Sequence, residues 1–278
     1  MAELSLKRPA LLEGRTGRAL LLTLVLLALR IPLGMLLDLL PGGDDPAIFY
    51  ARLIVQAMLL WGLPSLLMRP WRSARLPENA KCLWGCIGAV ILGAFSQLML
   101  RPVTAWWAEW TGCALTPLMT PDNEIQWILA VLALCVTPAL CEETYFRGGV
   151  LPGLLGSGTK WAALVISSLL FALMHGSLAG LPAHLVVSVL AGICMLRWGR
   201  LRVSVLFHLG YNAAVFLPQL PLSMGTSAAL ALLLAGCAVW MCGKIDWYSR
   251  RMRLSWPERL LALGTLLAAG MLYLPELI

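Results

Sequence analysis

Long runs of Leu, Ala, Val and Ile with few charges alternate along the chain with short segments that carry most of its Arg, Lys, Asp, Glu and Pro. A helix crossing a hydrocarbon core of about 30 Å needs roughly 20 apolar residues. On that rule the pattern predicts nine spans, near 19–40, 48–68, 83–100, 125–146, 160–176, 178–197, 202–218, 226–242 and 259–275. Two are weaker than the rest: Pro182 interrupts 178–197, and a peripheral position would also satisfy 259–275. The fold class is therefore all-α, a polytopic helical membrane protein with eight or nine transmembrane helices. Ala105-Trp106-Trp107-Ala108-Glu109-Trp110 is short and tryptophan-rich, so it reads as an interfacial helix beyond the third span. With no internal repeat and no low-complexity linker, one membrane domain over residues 1–278 is the economical description.

The segments between the spans alternate in charge. Lys7, Arg8, Arg15 and Arg18 precede the first span, and Arg69, Arg72, Arg75 and Lys81 follow the second. Arg147 with Lys160, then Arg197, Arg200 and Arg202, and finally Lys244, Arg250, Arg251, Arg253 and Arg259 mark three more turns on the same side. The intervening segments are acidic: 41–47 holds Asp44 and Asp45, and 102–124 holds Glu109, Asp122 and Glu124. Cytoplasmic loops are enriched in Lys and Arg, so the N-terminus is expected in the cytoplasm and, if all nine segments span, the C-terminus outside. Of the 21 basic residues only Arg30, Arg52 and Arg101 fall elsewhere. Arg30, Arg52 and Gln56 are each expected either to face a polar cavity or to snorkel to an interface, and for Arg52, near a helix end, snorkelling is favoured.

Composition agrees with the pattern and removes other classes. Hydrophobic residues make up 60% of the 278 and charged residues 13%, too few to clothe a water-exposed surface. The formal net charge of +7 would suit a nucleic-acid binder, but its basic residues sit in short clusters between apolar runs, so no nucleic-acid partner is expected. The first 18 residues are basic and precede an apolar run, like a signal peptide, but the run is long enough to remain as an anchor and Arg30-Ile31-Pro32-Leu33-Gly34 offers no cleavage site. Eight cysteines lie in or beside apolar runs without a C-x-x-C pair, which reads as packing.

Against this background Cys141-Glu142-Glu143-Thr144-Tyr145-Phe146-Arg147-Gly148 stands out, because Ile128 to Cys141 is free of charge. An ionisable side chain at such depth costs a few kcal/mol or more unless paired, so it marks a functional site by default. Glu143 and Arg147 are four apart, share a helix face and can form an ion pair. Glu142 is then left without its own counter-ion, which makes it a candidate general base. The three histidines, His175, His184 and His208, all lie in apolar sequence. His208 and Asn212 share a helix face and can aim two donors at one developing oxyanion. His184, close to Pro182, reads as a buried imidazole bonded to a neighbouring helix.

Depth along the helices tests whether these groups can meet. Counted from Gly156-Ser157-Gly158, Glu142 and His175 lie about 22 to 27 Å along antiparallel helices, whereas His208, six residues past Arg202, lies only about 9 Å in. Gly148, Gly149, Pro152 and Gly153 are expected to break the fourth helix and bring Glu142 closer to the inner face.

Glu142-Glu143 with Arg147, Phe171 with His175, and His208 with Asn212 reproduce, in order, the pattern E-E-x-x-x-R, F-x-x-x-H, H-x-x-x-N. Over about residues 140–215 the chain thus resembles the CAAX protease and bacteriocin-processing family of intramembrane endopeptidases, also called Abi, which includes the type II CAAX prenyl endopeptidases. The resemblance implies a helical fold around a polar cavity that opens toward the cytoplasm, in which a peptide bond is hydrolysed. It implies that Glu142 and His175 activate water, that His208 and Asn212 form the oxyanion site, and that Glu143 and Arg147 organise the first carboxylate. Zinc is a rival requirement in such proteins, but no H-E-x-x-H pair is present, so no metal and no other cofactor is favoured. A transporter or an immunity-type scaffold is the alternative class; inverted repeats would favour transport, and none is found. The expected partners are the bilayer and a protein or peptide substrate, such as a hydrophobic C-terminal segment, and the expected location is a bacterial cytoplasmic (inner) membrane.

Overall fold

The computed structural model describes residues 15–41, 44–68, 82–114, 118–156, 159–218, 224–245, 247 and 254–273. Its helices follow the nine predicted spans one for one. They are α1 (Arg15–Asp38), α2 (Pro46–Leu67), α3 (Cys82–Thr111), α4 (Glu124–Leu155), α5 (Lys160–Leu173), α6 (Leu181–Trp198), α7 (Leu201–Ala213, continued by a 3-10 turn Ala214–Phe216), α8 (Met224–Cys242) and α9 (Trp256–Gly270). Among the described residues there is no strand. Helices α1, α2, α3, α4 and α6 are long and apolar enough to cross a membrane, and α5, α7 and Ala229–Cys242 of α8 are shorter apolar helices. Large apolar side chains face outward in rows: Leu29, Ile31, Met35 and Leu36 on α1, Leu232, Val239 and Trp240 on α8, and Leu260, Leu263 and Leu267 on α9. A water-facing surface does not tolerate rows of this extent, whereas lipid does. The protein is an integral membrane protein.

Two helices depart from the predicted ends for physical reasons. The stretch Ala105–Trp110 does not form a separate interfacial helix; α3 passes through Pro102 and runs to Thr111, so the tryptophans are its last turns, with Trp107 Nε1 donating to the Leu178 carbonyl at 2.8 Å. Nor do the glycines and Pro152 break α4. A π-turn over Phe146–Val150 carries the helix on to Leu155, with the Leu151 amide reaching the Phe146 carbonyl. The same device occurs at Met58–Gly62 and Leu132–Val136, and each of the three π-turns is followed two residues later by a proline, Pro64, Pro138 or Pro152. Proline has no N–H to donate and its ring collides with the carbonyl four residues back. Widening the preceding turn moves that carbonyl aside and lets an apolar helix continue where an open backbone would be unsatisfied in lipid.

Contacts between helices fix which ends lie together. Thr16 Oγ1 at the start of α1 donates to the Gly153 carbonyl at the end of α4, and Trp198 at the end of α6 packs on Gly85 at the start of α3. Trp161 at the start of α5 stacks on Trp247, beyond the end of α8, at 4.1 Å. At the other end Tyr50 bonds to the Met119 carbonyl, Arg101 of α3 caps the Ala214, Leu217 and Pro218 carbonyls beyond α7, and Tyr273 reaches the Ala172 carbonyl. Successive segments therefore run up and down in alternation. The first end carries Arg15, Arg18, Lys160, Arg197, Arg200, Arg202, Lys244 and Arg259, and the second carries Asp38, Asp44, Asp45, Glu109, Asp122 and Glu124. Arg147, predicted as an inner-turn marker, is instead buried within the bundle at 1% exposure. Lys7, Arg8, Arg69, Arg72, Arg75, Lys81, Arg250, Arg251, Arg253 and the Ser157-Gly158 turn lie outside the described residues.

At the centre, α7 packs most intimately against α3. A Cβ on Gly93 would stand 2.0 Å from the Phe207 carbonyl oxygen, and one on Gly210 2.3 Å from that of Val90, so both glycines are needed for the backbones to approach this closely. The described cysteines are free; Cys135 and Cys194 are buried as expected, and Cys237 is exposed.

Candidate active site

Glu143 is held by three side chains. It has no solvent exposure, and the three converge on its carboxylate: Arg147 Nη1 forms an ion pair with Oε1 at 3.0 Å, His208 Nδ1 donates to Oε1 at 2.9 Å, and Ser204 Oγ donates to Oε2 at 2.5 Å. Arg147 is fixed in turn by Ser188, whose carbonyl and hydroxyl accept from Nη2 at 2.7 and 2.8 Å, and its guanidinium lies 4.6 Å from the centre of the Phe171 ring. The i, i+4 pairing expected from sequence is present, but its consequence differs from the expectation. Glu143 and Arg147 hold His208, and no bond from either to Glu142 is formed. Because a carboxylate accepts, the Glu143 contact puts a proton on His208 Nδ1 and leaves Nε2 as the ring nitrogen free to face another group.

Glu142 points elsewhere. Its Oε2 is buried, makes no hydrogen bond and lies 3.7 Å from His175 Nε2. That separation is too long for a direct hydrogen bond and suits a bridging molecule that donates to both. The His175 ring is oriented by its own backbone: Nδ1 lies 2.8 Å from the Phe171 carbonyl, which can only accept, so Nε2 is the lone-pair nitrogen turned toward Glu142. Arg30, from the middle of α1, donates to the His175 carbonyl at 2.5 Å. His184 stacks on His175 with ring centres 4.0 Å apart and a tilt of 25°, and its Nδ1 is buried without a partner. The reading of His184 as an imidazole bonded to a neighbouring helix is therefore corrected: it forms part of the wall beside His175.

These groups border one cavity of about 860 Å³. Glu142, His175, His184, His208, Asn212 and Tyr211 line it together with Arg30, Gln56, Gln97 and Arg101. Asn212, four residues beyond His208, faces the same space as the sequence spacing requires. Arg30 and Gln56 are thus cavity residues, while Arg52 bonds to the Leu40 and Pro41 carbonyls at the end of α1.

The mismatch in depth also resolves. Ser204 and His208, one turn apart, both reach Glu143, so α7 begins almost level with the carboxylate. Helix α4, unbroken, runs on from Glu143 to Leu155, about 18 Å at 1.5 Å per residue. The turn before α7 therefore lies deeper in the bundle than the one after α4, and counting both from a common plane fails.

Sequence reasoning found the motif residues but missed the side chains that hold them. Ser204 carried a usable signal, since it lies four residues before His208 on the same face of α7. Ser188, an isolated hydroxyl in apolar α6, and Arg30, 112 residues before the first motif at Glu142, carried no signal that pairs them with their partners. As for metal, no group of three or more His, Cys, Asp and Glu side chains able to hold an ion occurs among the described residues. Glu142 and His175 offer two donors, the His184 ring is stacked on His175 instead of converging, and His208, with Nδ1 taken by Glu143, has only Nε2 left to face the cavity.

Residues 124–214, from the start of α4 to the end of α7, match the family described as type II CAAX prenyl endopeptidase Rce1-like. No curated protein and no solved structure matches the chain.

Proposed function

We propose, from the match of residues 124–214 to the family described as type II CAAX prenyl endopeptidase Rce1-like, that the protein is an intramembrane endopeptidase. Its reaction is hydrolysis of a peptide bond in a membrane-associated protein or peptide. The observation that carries this reading is the meeting of Glu142, His175, His208 and Asn212 on one cavity inside an apolar bundle. Glu142 Oε2 and His175 Nε2, two acceptors 3.7 Å apart, hold a water between them, and Glu142 takes its proton as the oxygen attacks the scissile carbonyl. His208, held by Glu143 through Nδ1 and carrying a second proton on Nε2, then donates with Asn212 to the oxyanion, and the proton held by Glu142 passes to the leaving amine. Arg147, Ser188 and Ser204 position Glu143, and Arg30 positions His175 through its carbonyl. In this reading the acid acts on water without a metal ligand.

The test is to compare the peptide termini in membranes and medium from cells carrying the protein, the Glu142→Gln variant or neither. New termini that require Glu142 are the expected result. Equal membrane levels of Glu142→Gln with unchanged termini would contradict the proposal, and solute uptake that depends on Glu142 with no proteolytic product would replace it with transport. Stoichiometric zinc in the purified protein, with cleavage lost on its removal, would overturn the metal-free reaction.

A further inference from the structure

The peptidase reading leaves open from which side of the membrane the substrate arrives, and the structure carries an answer opposite to the one the family resemblance implies. We infer that the cavity opens away from the cytoplasm, so that the site takes polypeptide segments presented at the non-cytoplasmic face, and this inference rests on the proposed activity of the same site.

The argument has three steps. The first is where the cavity is closed. Helix α4 runs from the acidic end of the bundle to the basic end, so residues after Glu142 lie progressively nearer the basic end. There Tyr145, Phe146, Arg147, Leu151 and Leu154 are all between 0 and 1% exposed, and Phe171, one turn before His175 on α5, is 1% exposed. Nothing polar and open connects the site to that end among these layers.

The second is where the cavity opens. Its walls include the acidic-end portions of three segments: Arg101, Thr104 and Ala105 late in α3, Leu118 just before α4, and Leu217 just after the turn that ends α7. Leu118 and Leu217 are each 49% exposed although they line the cavity. The mouth therefore lies beside Asp122 and Glu124.

The third is which end faces the cytoplasm. The basic end collects eight Lys and Arg of the described residues against Glu258, and the acidic end six Asp and Glu against Arg52 and Arg101. Short loops rich in Lys and Arg stay in the cytoplasm. The mouth, at the opposite end, then faces the exported side, and an exported precursor or the membrane-buried tail of an exported protein has direct access to Glu142, whereas a cytoplasmic protein tail does not.

The experiment labels the full chain in intact bacterial cells with a membrane-impermeant maleimide, using Leu118→Cys and Leu217→Cys at the mouth and Lys160→Cys at the basic end. The unsubstituted chain, with its native cysteines, supplies the background. The expected result is that both mouth variants label at least fivefold above background in intact cells, and that Lys160→Cys does so only after the membrane is opened. The reverse pattern overturns the inference, and so does Leu217→Cys reacting only from the opened side while Leu118→Cys reacts from outside. Labelling needs no turnover: each variant combined with Glu142→Gln is expected to label alike. The expected labelling with no cleavage by any membrane preparation would reject the peptidase while leaving the orientation standing, whereas cleavage with reversed labelling would keep the peptidase and reject the exported-side substrate.

Discussion

At the scale of single residues, the two adjacent glutamates do different work because they lie on different faces of α4. Glu143 is saturated by Arg147, His208 and Ser204, while Glu142 Oε2 has no donor and faces His175. Removing Glu143 would strand a fully buried guanidinium. Glu143→Ala is therefore expected to cost about 3 to 5 kcal/mol, the range for breaking a buried ion pair from one side. Ser204→Ala, which deletes one hydrogen bond to the same carboxylate, is expected to cost about 1.5 to 3 kcal/mol. Unfolding of the purified variants in one detergent checks this ordering, and equal losses would mean that Arg147 finds another partner. Asn212→Ala should leave the fold intact and lower the cleavage rate roughly 10²- to 10³-fold, the usual loss for one oxyanion donor, read from product formation at matched membrane levels. The motif residues were legible in the sequence because charge is conspicuous among apolar neighbours. Ser188 and His184 were not, since a hydroxyl or an imidazole in an apolar run shows its partner only after α5 and α6 are folded back on each other.

At the scale of elements, the hydrophobic pattern located the nine helices among the described residues, because in lipid the helix satisfies its own backbone and its side chains must be apolar along its length. What the pattern could not supply was continuity. Gly148, Gly149 and Pro152 read as a break, yet the π-turn Phe146–Val150 absorbs the proline and keeps α4 whole. That turn also places Arg147 inside the bundle, where residue counting had set it at the surface. The close crossing of α3 and α7 is an equally local requirement. Gly93→Ala places a methyl group 2.0 Å from backbone that cannot yield, so the helices must separate and carry His208 away from Glu143. Lowered thermal stability together with lost cleavage is the expected result, whereas Gly88→Ala, which meets nothing within 4 Å, should change neither. A Gly93→Ala protein as stable and active as the parent would mean that α7 is not fixed by this contact.

At the scale of the whole molecule, the alternation of basic and acidic ends and the cavity between them belong to one arrangement. The charge asymmetry was visible in sequence, and with it the expected orientation; the side on which the cavity opens was not, because it depends on which layers of Tyr145, Phe146 and Phe171 close over the site. The account stands on Glu142, His175, His208 and Asn212 acting on one bound peptide. The measurement that tests this most directly is the rate of product formation by purified protein in lipid discs, acting on a substrate taken from the termini that depend on Glu142. Glu142→Gln and His208→Ala are each expected to lose most of the activity, and the double variant to fall little further than the worse of the two, as residues acting as a unit do. Losses that simply multiply in the double variant, or either single variant cleaving at the parent's rate, would contradict it.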